Sequence, residues 1–327
     1  MRLVRDRNLN PVYSGEEAIE QLDNRRVYVT GGSGFVGGRL IHQLAHKGYA
    51  VTAAVRGAVD TEGAPTWVSA LAGHDVVVHC AARVHVMDER AADPLVEFRR
   101  DNVDGTLQLA REAAAAGVKR FVFISSIKVN GEGTAPGQPY TAFDTPAPQD
   151  PYGISKLEAE QGLRKLAQET GMQLVIIRPV LVYGPGVRAN FRSMMTWLSR
   201  GVPLPLGAIH NQRSLVSLDN LVDLVVTCVD HPAAAGEVFL VSDGEDLSTT
   251  EMLRRLGRAL GEPARLISVS PLLLQAAAGL LGRRSVAQRL CGSLQVDIWH
   301  TCATLNWTPP VSVDDGFHAA ASAFLTE

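Results

Sequence analysis

A tyrosine and a lysine stand four positions apart in the heptapeptide DPYGISK, residues 150–156. Asp150 is suited to cap a helix and Pro151 to occupy its first turn, so Tyr152 and Lys156 are predicted to project from one helical face. A free phenol titrates near pH ~10, and a neighbouring cation stabilises its phenolate. The pair is therefore a candidate for proton exchange near neutral pH, with Tyr152 as acid or base. Because amphipathic helices often contain such a pair, its surroundings decide the interpretation.

A glycine-rich turn lies near the start of the chain, in the stretch VYVTGGSGFVG, residues 27–37. Its glycines follow a β-branched run and open a predicted helix. Glycines at such a place permit a tight turn and let the backbone approach a pyrophosphate, which the helix N-terminus attracts. We therefore predict a dinucleotide site here. The predicted cofactor contacts in this turn are Gly31, Ser33, Gly34, Phe35, Val36 and Gly37.

The end of the second predicted strand, VTAAVR, indicates which dinucleotide binds. An acidic residue there would accept hydrogen bonds from the ribose hydroxyls of NAD, but this strand has none and ends in Arg56. A guanidinium suits a 2′-phosphate, so NADP(H) is favoured and NAD(H) stays possible. An arginine that stacks on adenine is the alternative. The residues between Arg56 and Asp75 contain no apolar strand, so the protein contacts of the adenine ring are left open. Asp60 is a weak candidate for such a contact.

Short apolar runs alternate with helical patterns from Arg26 onward. The alternation, with nearly continuous apolar strands, indicates βαβ units and a parallel sheet covered on both faces. The predicted fold is α/β, a doubly wound parallel sheet of the Rossmann type with a smaller C-terminal lobe. The predicted strands are residues 27–30, 50–55, 75–82, 120–126 and 172–179, and the predicted helices are 34–47, 94–116 and the one that begins in the heptapeptide and ends near Gly171.

Domain boundaries follow from where this alternation begins and loosens. Residues 1–25 are predicted to be an N-terminal extension, because they are charged throughout and lack the apolar core of a signal peptide. Residues 26–180 are assigned to the dinucleotide-binding domain, to which residues 213–245 return. Residues 181–212 and 246–327 are assigned to a substrate-binding lobe, and the active site is expected between the two parts.

Composition excludes several classes of function. The 327 residues carry a net charge of −3, so a basic surface for nucleic acid is not expected. The four cysteines lie far apart, with no metal-ligand spacing, which predicts reduced thiols, no metal site and a cytoplasmic protein. The apolar stretch SPLLLQAAAGLLG, residues 270–282, is too short to span a bilayer. No membrane insertion is expected, and a buried or surface-lying helix is favoured over membrane contact.

Taken together, these pieces resemble the extended short-chain dehydrogenase/reductase family, of the nucleotide-sugar epimerase/dehydratase type. Besides the glycine turn and the Tyr-Lys pair, the chain carries four of its motifs: HCAA (79–82), DNVDGT (101–106), FISS (123–126) and RPVLVYGPG (178–186). The similarity covers about residues 26–327. The resemblance implies that Ser126, Tyr152 and Lys156 are catalytic. Tyr152 would protonate a sugar C4 oxygen, Ser126 would hydrogen-bond that oxygen, and Lys156 would hold the nicotinamide ribose and lower the phenol pKa.

Other stretches look most like one branch of this family, the nucleotide-sugar 4-ketoreductases related to bacterial O-antigen synthesis. They are AARVHVMDE (81–89), SSIKVNGEG (125–133), NQRSLVSLDNL (211–221) and SLQVD (293–297) with NWTPPVSVDDG (306–316). The branch implies reduction of a UDP-4-keto-6-deoxy-N-acetylhexosamine to UDP-N-acetylquinovosamine or its 4-epimer. Two alternatives stay open: a UDP-sugar 4-epimerase with permanently bound NAD, and a non-catalytic NADP(H)-binding module. A 4,6-dehydratase would need acidic groups beside the serine, which SSIKVN does not offer.

The resemblance implies further contacts. Beside the cofactor it places Ala81, Ala82, Arg83 and Pro179. Toward a UDP-linked substrate it places His85, Ser126, Lys128, Asn190, Arg213 and Asp297. Arg213 matches a diphosphate-binding arginine, whereas His85, Asn190 and Asp297 are equally compatible with surface positions. Asn102 is expected to be structural. Relatives often form homodimers through a four-helix contact, which would include the helices from Pro94 and from Pro151.

Overall fold

The computed structural model describes residues 25–54, 67–83, 93–135, 137–280, 282 and 284–327. Its strands are β1 (Arg26–Thr30), β2 (Ala50–Ala53), β3 (Val76–His79), β4 (Arg120–Ile124), β5 (Gln173–Pro179), β6 (Leu181–Tyr183), β7 (Arg213–Ser217), β8 (Val238–Val241) and β9 (Asp246–Leu247). Its α-helices are α1 (Phe35–His46), α2 (Val68–Leu71), α3 (Pro94–Phe98), α4 (Gly105–Ala115), α5 (Pro151–Thr170), α6 (Ala189–Ser199), α7 (Leu218–Asp230), α8 (Thr249–Ala259), α9 (Pro271–Leu280), α10 (Arg284–Cys291), α11 (Trp299–Leu305) and α12 (Val313–Thr326).

In the described part of the chain, six strands form one parallel sheet in the order β2-β1-β3-β4-β5-β8. Every residue of β3 and of β4 is buried, as expected for central strands that are covered on both faces. From β1 the chain adds β2 on one side of the sheet and then returns to add β3 on the other side. This change of side places the carboxyl ends of β1 and β3 beside a crevice. The predicted doubly wound Rossmann sheet is confirmed.

Successive residues of each central strand enter different cores. Val27 and Val29 of β1 belong to the core beneath α1 and α7, together with Leu40. Tyr28, between them, belongs to the core beneath α4 and α5, together with Leu163. Since neighbouring side chains on a strand point to opposite faces, the two cores lie on opposite sides of the sheet.

A second, smaller sheet has the order β6-β7-β9. Helices α6, α8 and α12 pack around a core of their own that includes Tyr183, Phe191 and Phe317. The segment 213–245, assigned to the dinucleotide-binding domain, divides between the two sheets: β8 lies beside β5, whereas β7 pairs with β6 and β9. The strand β6 begins two residues after β5 and has already left the main sheet, so its partner β7 lies outside that sheet as well.

The predicted helix over residues 94–116 is one continuous helical segment. Its parts are α3, a π-helical stretch over Arg99–Asp104, and α4. Upstream of β3, the described residues form the short helix α2 instead of a strand. Arg56 and Asp60 lie outside the described residues, as do residues 1–24.

Candidate active site

The helix that carries Tyr152 begins and ends where local chemistry predicts. Asp150 caps α5, because its Oδ1 accepts a hydrogen bond from the Gly153 amide at 2.7 Å, and Pro151 opens the first turn. The helix ends at Gly171, which adopts the left-handed conformation with φ of 76°. Tyr152 and Lys156 therefore lie one turn apart on the same face, with Nζ of Lys156 5.9 Å from the centre of the Tyr152 ring.

Ser126 lies opposite Tyr152, just after the carboxyl end of β4. It caps a short 3₁₀ turn (Ile127–Val129), and its side chain interacts with the phenol of Tyr152. Burial raises the pKa of Tyr152 to about 12, and the hydrogen bond with Ser126 opposes this shift. In the structure as it stands, Tyr152 is therefore a protonated acid at neutral pH.

Lys156 is buried among groups that fix its ammonium. Its Nζ donates to the backbone carbonyl oxygen of Ile124 at 2.9 Å and lies 4.5 Å from the centre of the Phe123 ring. Burial lowers the pKa of Lys156 to about 8, and the negative charge of Glu160 opposes this shift. The carbonyl uses one of the three ammonium donors, so the others are available to a ligand or to the phenol.

Beneath this group lies a buried ion pair. Nη2 of Arg178 lies 2.6 Å from Oε2 of Glu160, and both side chains are at most 4% exposed. Ser125 donates to the other oxygen of Glu160, and Arg178 also donates to Asn130 at 3.0 Å. These contacts tie α5 to β5 and to the loop after β4. Sequence reasoning missed Glu160, although its position four residues after Lys156 places it on the same helical stripe.

Lys128 connects the serine segment to the tyrosine helix. Its ammonium donates to the carboxylate of Asp150 and, at 3.0 Å, to Glu132. Its carbonyl oxygen approaches α5 so closely that a Cβ on Gly153 would lie 2.8 Å from it. The glycine inside the Tyr-Lys motif therefore permits the close contact. Lys128, predicted to contact substrate, is thus placed beside the cap of α5.

The glycine turn has the geometry that a diphosphate requires. Gly31 adopts φ of +71°, and a Cβ there would lie 2.7 Å from the amide nitrogen of Ala81. A Cβ on Gly37 would lie 2.3 Å from the carbonyl oxygen of Gly31. Gly34 caps α1 without a side-chain hydrogen bond, and Ser33 beside it is exposed, so first-turn amides stay accessible to an anion. These residues fit a dinucleotide cofactor.

The remaining predicted cofactor contacts are distributed along the same edge of the sheet. Phe35 and Val36 are half-buried in the first turn of α1 and pack on the core. Ala82 is exposed after β3, and Pro179 is buried at the end of β5. All four positions lie at or just beyond strand ends or at the start of a helix, where ligands bind in this architecture.

Arg83 contributes its backbone to this edge. Its amide donates to Asn102 Oδ1 at 2.8 Å, and Nδ2 of Asn102 donates back to the Arg83 carbonyl at 3.0 Å. The guanidinium of Arg83 is directed to Glu97 and Asp101, each at 3.5 Å. Asn102 is therefore structural, as expected, because it holds the segment that follows β3.

His79, the histidine of the HCAA motif, supports the same segment from below. Its Nδ1 lies 2.6 Å from the Thr30 hydroxyl and its Nε2 2.9 Å from the Thr106 hydroxyl. Thr30 in turn accepts from the Ala81 amide at 3.4 Å. Burial and the charge of Lys156 lower the pKa of His79 to about 3, so the ring is neutral. This linking role was not predicted; the signal available was a histidine within an otherwise apolar strand.

Arg213, the predicted diphosphate ligand, is half-buried at the start of β7. Its Nη1 donates to the backbone carbonyl oxygens of Arg289 and Gly292, at 2.9 and 3.2 Å. Burial and the neighbouring charge of Arg289 lower the pKa of Arg213. Two guanidinium groups near each other attract an anion such as a diphosphate.

Two other predicted substrate contacts, Asn190 and Asp297, are exposed. Asn190 is exposed in the first turn of α6. Asp297 is exposed, and its Oδ1 accepts from the Trp299 amide at 2.7 Å at the start of α11. His85, like Arg56, lies outside the described residues. Among the described residues, no group of three or more His, Cys, Asp and Glu side chains is arranged to hold a metal ion.

Comparisons with known proteins identify the family. The model of the NAD dependent epimerase/dehydratase family matches residues 27–242. A UDP-glucose 4-epimerase of Vibrio cholerae is 50% identical over 314 residues, which cover 92% of this chain and 96% of the relative. The chain therefore belongs to the NAD-dependent epimerase/dehydratase family, and it is an NAD(P)-dependent enzyme. The resemblance seen in the sequence motifs is confirmed.

Solved structures show the same fold. UDP-glucuronic acid 4-epimerase from Bacillus cereus, in complex with NAD, superposes with a TM-score of 0.74 at 19% identity, over 92% of this chain and 99% of that one. RMD from Pseudomonas aeruginosa, in complex with NADPH, gives a TM-score of 0.73 at 22% identity with the same coverage. The two complexes contain different dinucleotides, so the preference of this chain is not decided by fold.

Proposed function

We propose that the protein is a UDP-hexose 4-epimerase that works with a tightly bound NAD. The observation that carries the proposal is the 50% identity to the Vibrio cholerae UDP-glucose 4-epimerase, which extends over 92% of this chain. The arrangement of Ser126, Tyr152 and Lys156 supplies the chemistry that inversion at a hydroxyl-bearing carbon needs. The reaction requires an acid/base at the C4 oxygen, a donor to that oxygen and a hydride acceptor.

Tyr152 exchanges the proton in this scheme. As its phenolate it removes the proton from the C4 hydroxyl while C4 loses hydride, which leaves a 4-keto sugar. NAD, when bound by the glycine turn, would supply the hydride acceptor and donor. After the keto sugar presents its other face, hydride returns to C4 and Tyr152 returns the proton to the oxygen. Atoms and electrons balance, because the hydride and proton that leave are the ones that return.

Two neighbours make Tyr152 suitable for this role. The ammonium of Lys156 lies within 5.9 Å of the Tyr152 ring and favours the phenolate. Before substrate binds, the hydrogen bond of Ser126 lowers the phenol pKa. With substrate bound, the same hydroxyl would donate to the C4 oxygen instead. Burial, opposed by the Ser126 hydrogen bond, holds the pKa of Tyr152 at about 12, and an oxidised nicotinamide, which carries a positive charge, would lower it further when bound.

Binding is assigned by the chemistry of each region. The glycine turn and the N-terminus of α1 hold the cofactor diphosphate, and Arg213 holds the substrate diphosphate. Lys128, Asn190 and Asp297 remain proposed substrate contacts. Residues 26–180, with β8 and α7, form the proposed cofactor domain, and the C-terminal lobe completes the sugar site.

The outer faces of α4 and α5 are the proposed homodimer contact. Helices α4 and α5 approach each other closely at Gly162, where a Cβ would lie 2.7 Å from the Leu107 side chain. Leu107 is half-buried in the single chain. A second copy would cover both helices.

The second candidate is the 4-ketoreductase of a UDP-4-keto-6-deoxy-N-acetylhexosamine. The five stretches that resemble that branch favour it, and Arg56 favours the NADPH that a reductase consumes. Its catalytic groups are the same, with Tyr152 acting once as an acid.

One experiment separates the two functions. Purified protein is mixed with NADPH or NADH and a UDP-4-keto-6-deoxy-N-acetylhexosamine, and the absorbance of the reduced nicotinamide is followed. The epimerase predicts no stoichiometric oxidation and recovery of about one NAD per chain from the denatured protein. Stoichiometric oxidation, faster with NADPH, would instead establish the ketoreductase.

A further inference from the structure

The helix α9, with the sequence PLLLQAAAGL, exposes an unusual amount of apolar surface. None of its ten residues is fully buried. Leu272, Leu273 and Leu280 are 76%, 65% and 91% exposed. A helix whose only polar side chain is that of Gln275 is normally covered by protein or by lipid. Single exposed leucines are common, but three exposed leucines on one helix indicate that another molecule covers them.

The helix is attached to the rest of the protein along one side. Leu274 packs on the core of the smaller lobe, and Ala278 lies half-buried one turn further on. Leu272, Ala276 and Leu280 recur at intervals of four residues, so they form an exposed stripe. The helix therefore has a protein side and an open apolar side.

The segment just before α9 in the sequence also exposes side chains. Leu266 is half-buried and bridges Leu204, whereas its neighbours Arg265 and Ile267 are exposed, Ile267 by 55%. Alternate residues of an extended segment point to opposite sides, so Arg265 and Ile267 share the outer face. The Arg265 guanidinium lies within 4 Å of the position of a Cβ on Gly201, next to exposed Arg200. We call Arg200, Arg265, Ile267, Leu272, Leu273 and Leu280 the α9 surface.

The charged residues from 263 to 296 are all basic. Residues 263–296 contain no Asp or Glu, and their charged residues are Arg265, Arg283, Arg284 and Arg289. Arg200 and Arg265 form no ion pair with any residue that the structure describes. A protein of net charge −3 thus carries a stretch of sequence whose charged residues are all arginines, before and after an apolar helix.

We propose that the α9 surface docks on an anionic phospholipid bilayer, with α9 lying in the headgroup region. Leucines that enter the interface and arginines that contact lipid phosphates are the two contributions that hold interfacial helices. The helix does not cross: no helix among the described residues is long and apolar enough to span a bilayer. A second copy of the chain is the poorer occupant, because a two-fold contact would bring two acid-free, arginine-bearing segments together.

Docking would set the candidate sugar-nucleotide site close to the bilayer. The carbonyl groups of Arg289 and Gly292, at the end of α10, hold the guanidinium of Arg213. Helices α9 and α10 pack against each other. The inference stands on the surface alone and does not depend on which reaction the site performs.

Vesicle sedimentation with the full chain tests the proposal. Vesicles of phosphatidylcholine alone are compared with vesicles that also contain phosphatidylglycerol. We expect sedimentation with the anionic vesicles that weakens with salt, and a loss on the order of tenfold in the L272S/L273S variant. Leu325→Ser is the matched control, because Leu325 is 60% exposed on α12 and lies outside the α9 surface. The R200E/R265E variant tests the charge and is expected to lose preference for anionic vesicles.

Three results would overturn the proposal. The first is wild-type protein, shown to be folded by circular dichroism, that stays in the supernatant with anionic vesicles. The second is equal sedimentation of wild type and L272S/L273S. The third is a concentration-dependent dimer that L272S/L273S abolishes without any vesicle binding, since the surface would then contact a second copy.

Discussion

The ammonium of Lys128 donates to the carboxylate of Asp150, whose other oxygen accepts the Gly153 amide at 2.7 Å. Lys128 follows the candidate serine by two residues, and Asp150 precedes the candidate tyrosine by two. The contact therefore links the segment that carries Ser126 to the helix that carries Tyr152. It helps to hold in position the two hydroxyl groups that, in the proposed reaction, contact one sugar oxygen.

Replacing Lys128 by methionine removes this link while keeping the length of the side chain. We expect kcat to fall about tenfold, because misplacement of a catalytic group lowers the rate of the chemical step, and KM to rise by a smaller factor, because Lys128 is also a proposed substrate contact. Lys128→Arg is expected to recover part of kcat. The control is Lys119→Met, which removes an ion pair with Asp75 at the far end of the sheet. A rise in KM at constant kcat would show instead that Lys128 acts only by contacting substrate.

Tyr152→Phe removes the proposed proton carrier and little else. Turnover is expected to fall by roughly 10²–10⁴-fold, the usual contribution of a positioned acid/base. Binding of the UDP-sugar, measured by calorimetry, should change little. Tyr49→Phe is the control, because Tyr49 bonds to Asp230 away from the candidate site. Full turnover of the Tyr152→Phe protein would exclude the assigned role.

Gly37→Ala tests the cofactor turn. The added Cβ would lie 2.3 Å from the Gly31 carbonyl oxygen, so the turn must open. We expect a loss of about 1–3 kcal/mol in the free energy of unfolding and at least about tenfold weaker retention of the dinucleotide. Gly105→Ala is the matched control. Its nearest contact is an ordinary 3.7 Å, and alanine in a helix should stabilise by about 0.5–1 kcal/mol. Unchanged dinucleotide content in Gly37→Ala would contradict the assignment.

The buried ring of His79 predicts sensitivity to acid. Its folded pKa of about 3 lies below the unfolded value of about 6.5, so the unfolded chain binds the extra proton first. The stabilisation is present above pH ~6.5 and is lost as the pH falls toward ~3, by about 2 kcal/mol between pH 7 and 5. Urea unfolding at the two pH values should show a smaller difference for His79→Gln than for wild type. The exposed His46→Gln is the control and should match wild type; equal differences in all three proteins would contradict the prediction.

Local signals predicted much of the fold and part of the site. The cap at Asp150, the stop at Gly171 and the glycine turn depend on neighbours in sequence, and each is where the pattern predicts. Contacts between distant elements were not predicted. The Glu160–Arg178 pair joins a helix to a strand, and no spacing indicates which arginine a buried glutamate will meet.

The exposure of the side chains in residues 270–282 could not be predicted from the sequence either. The stretch 270–282 was expected to form a buried or surface-lying helix, and the two cases differ only in what packs on it. The structure shows that Leu272, Leu273 and Leu280 are exposed. Arg56 and His85 lie outside the described residues, so the interpretations placed on them remain predictions.

The fate of the C4 hydrogen tests the central claim most directly. A UDP-hexose that carries deuterium at C4 is incubated with the purified protein, without added cofactor, and both 4-epimers are analysed by NMR and mass spectrometry. We predict conversion to an equilibrium mixture in which the product keeps its deuterium at C4, because the hydride never leaves the site. No 4-epimer after prolonged incubation, in protein shown to contain NAD, would contradict the account.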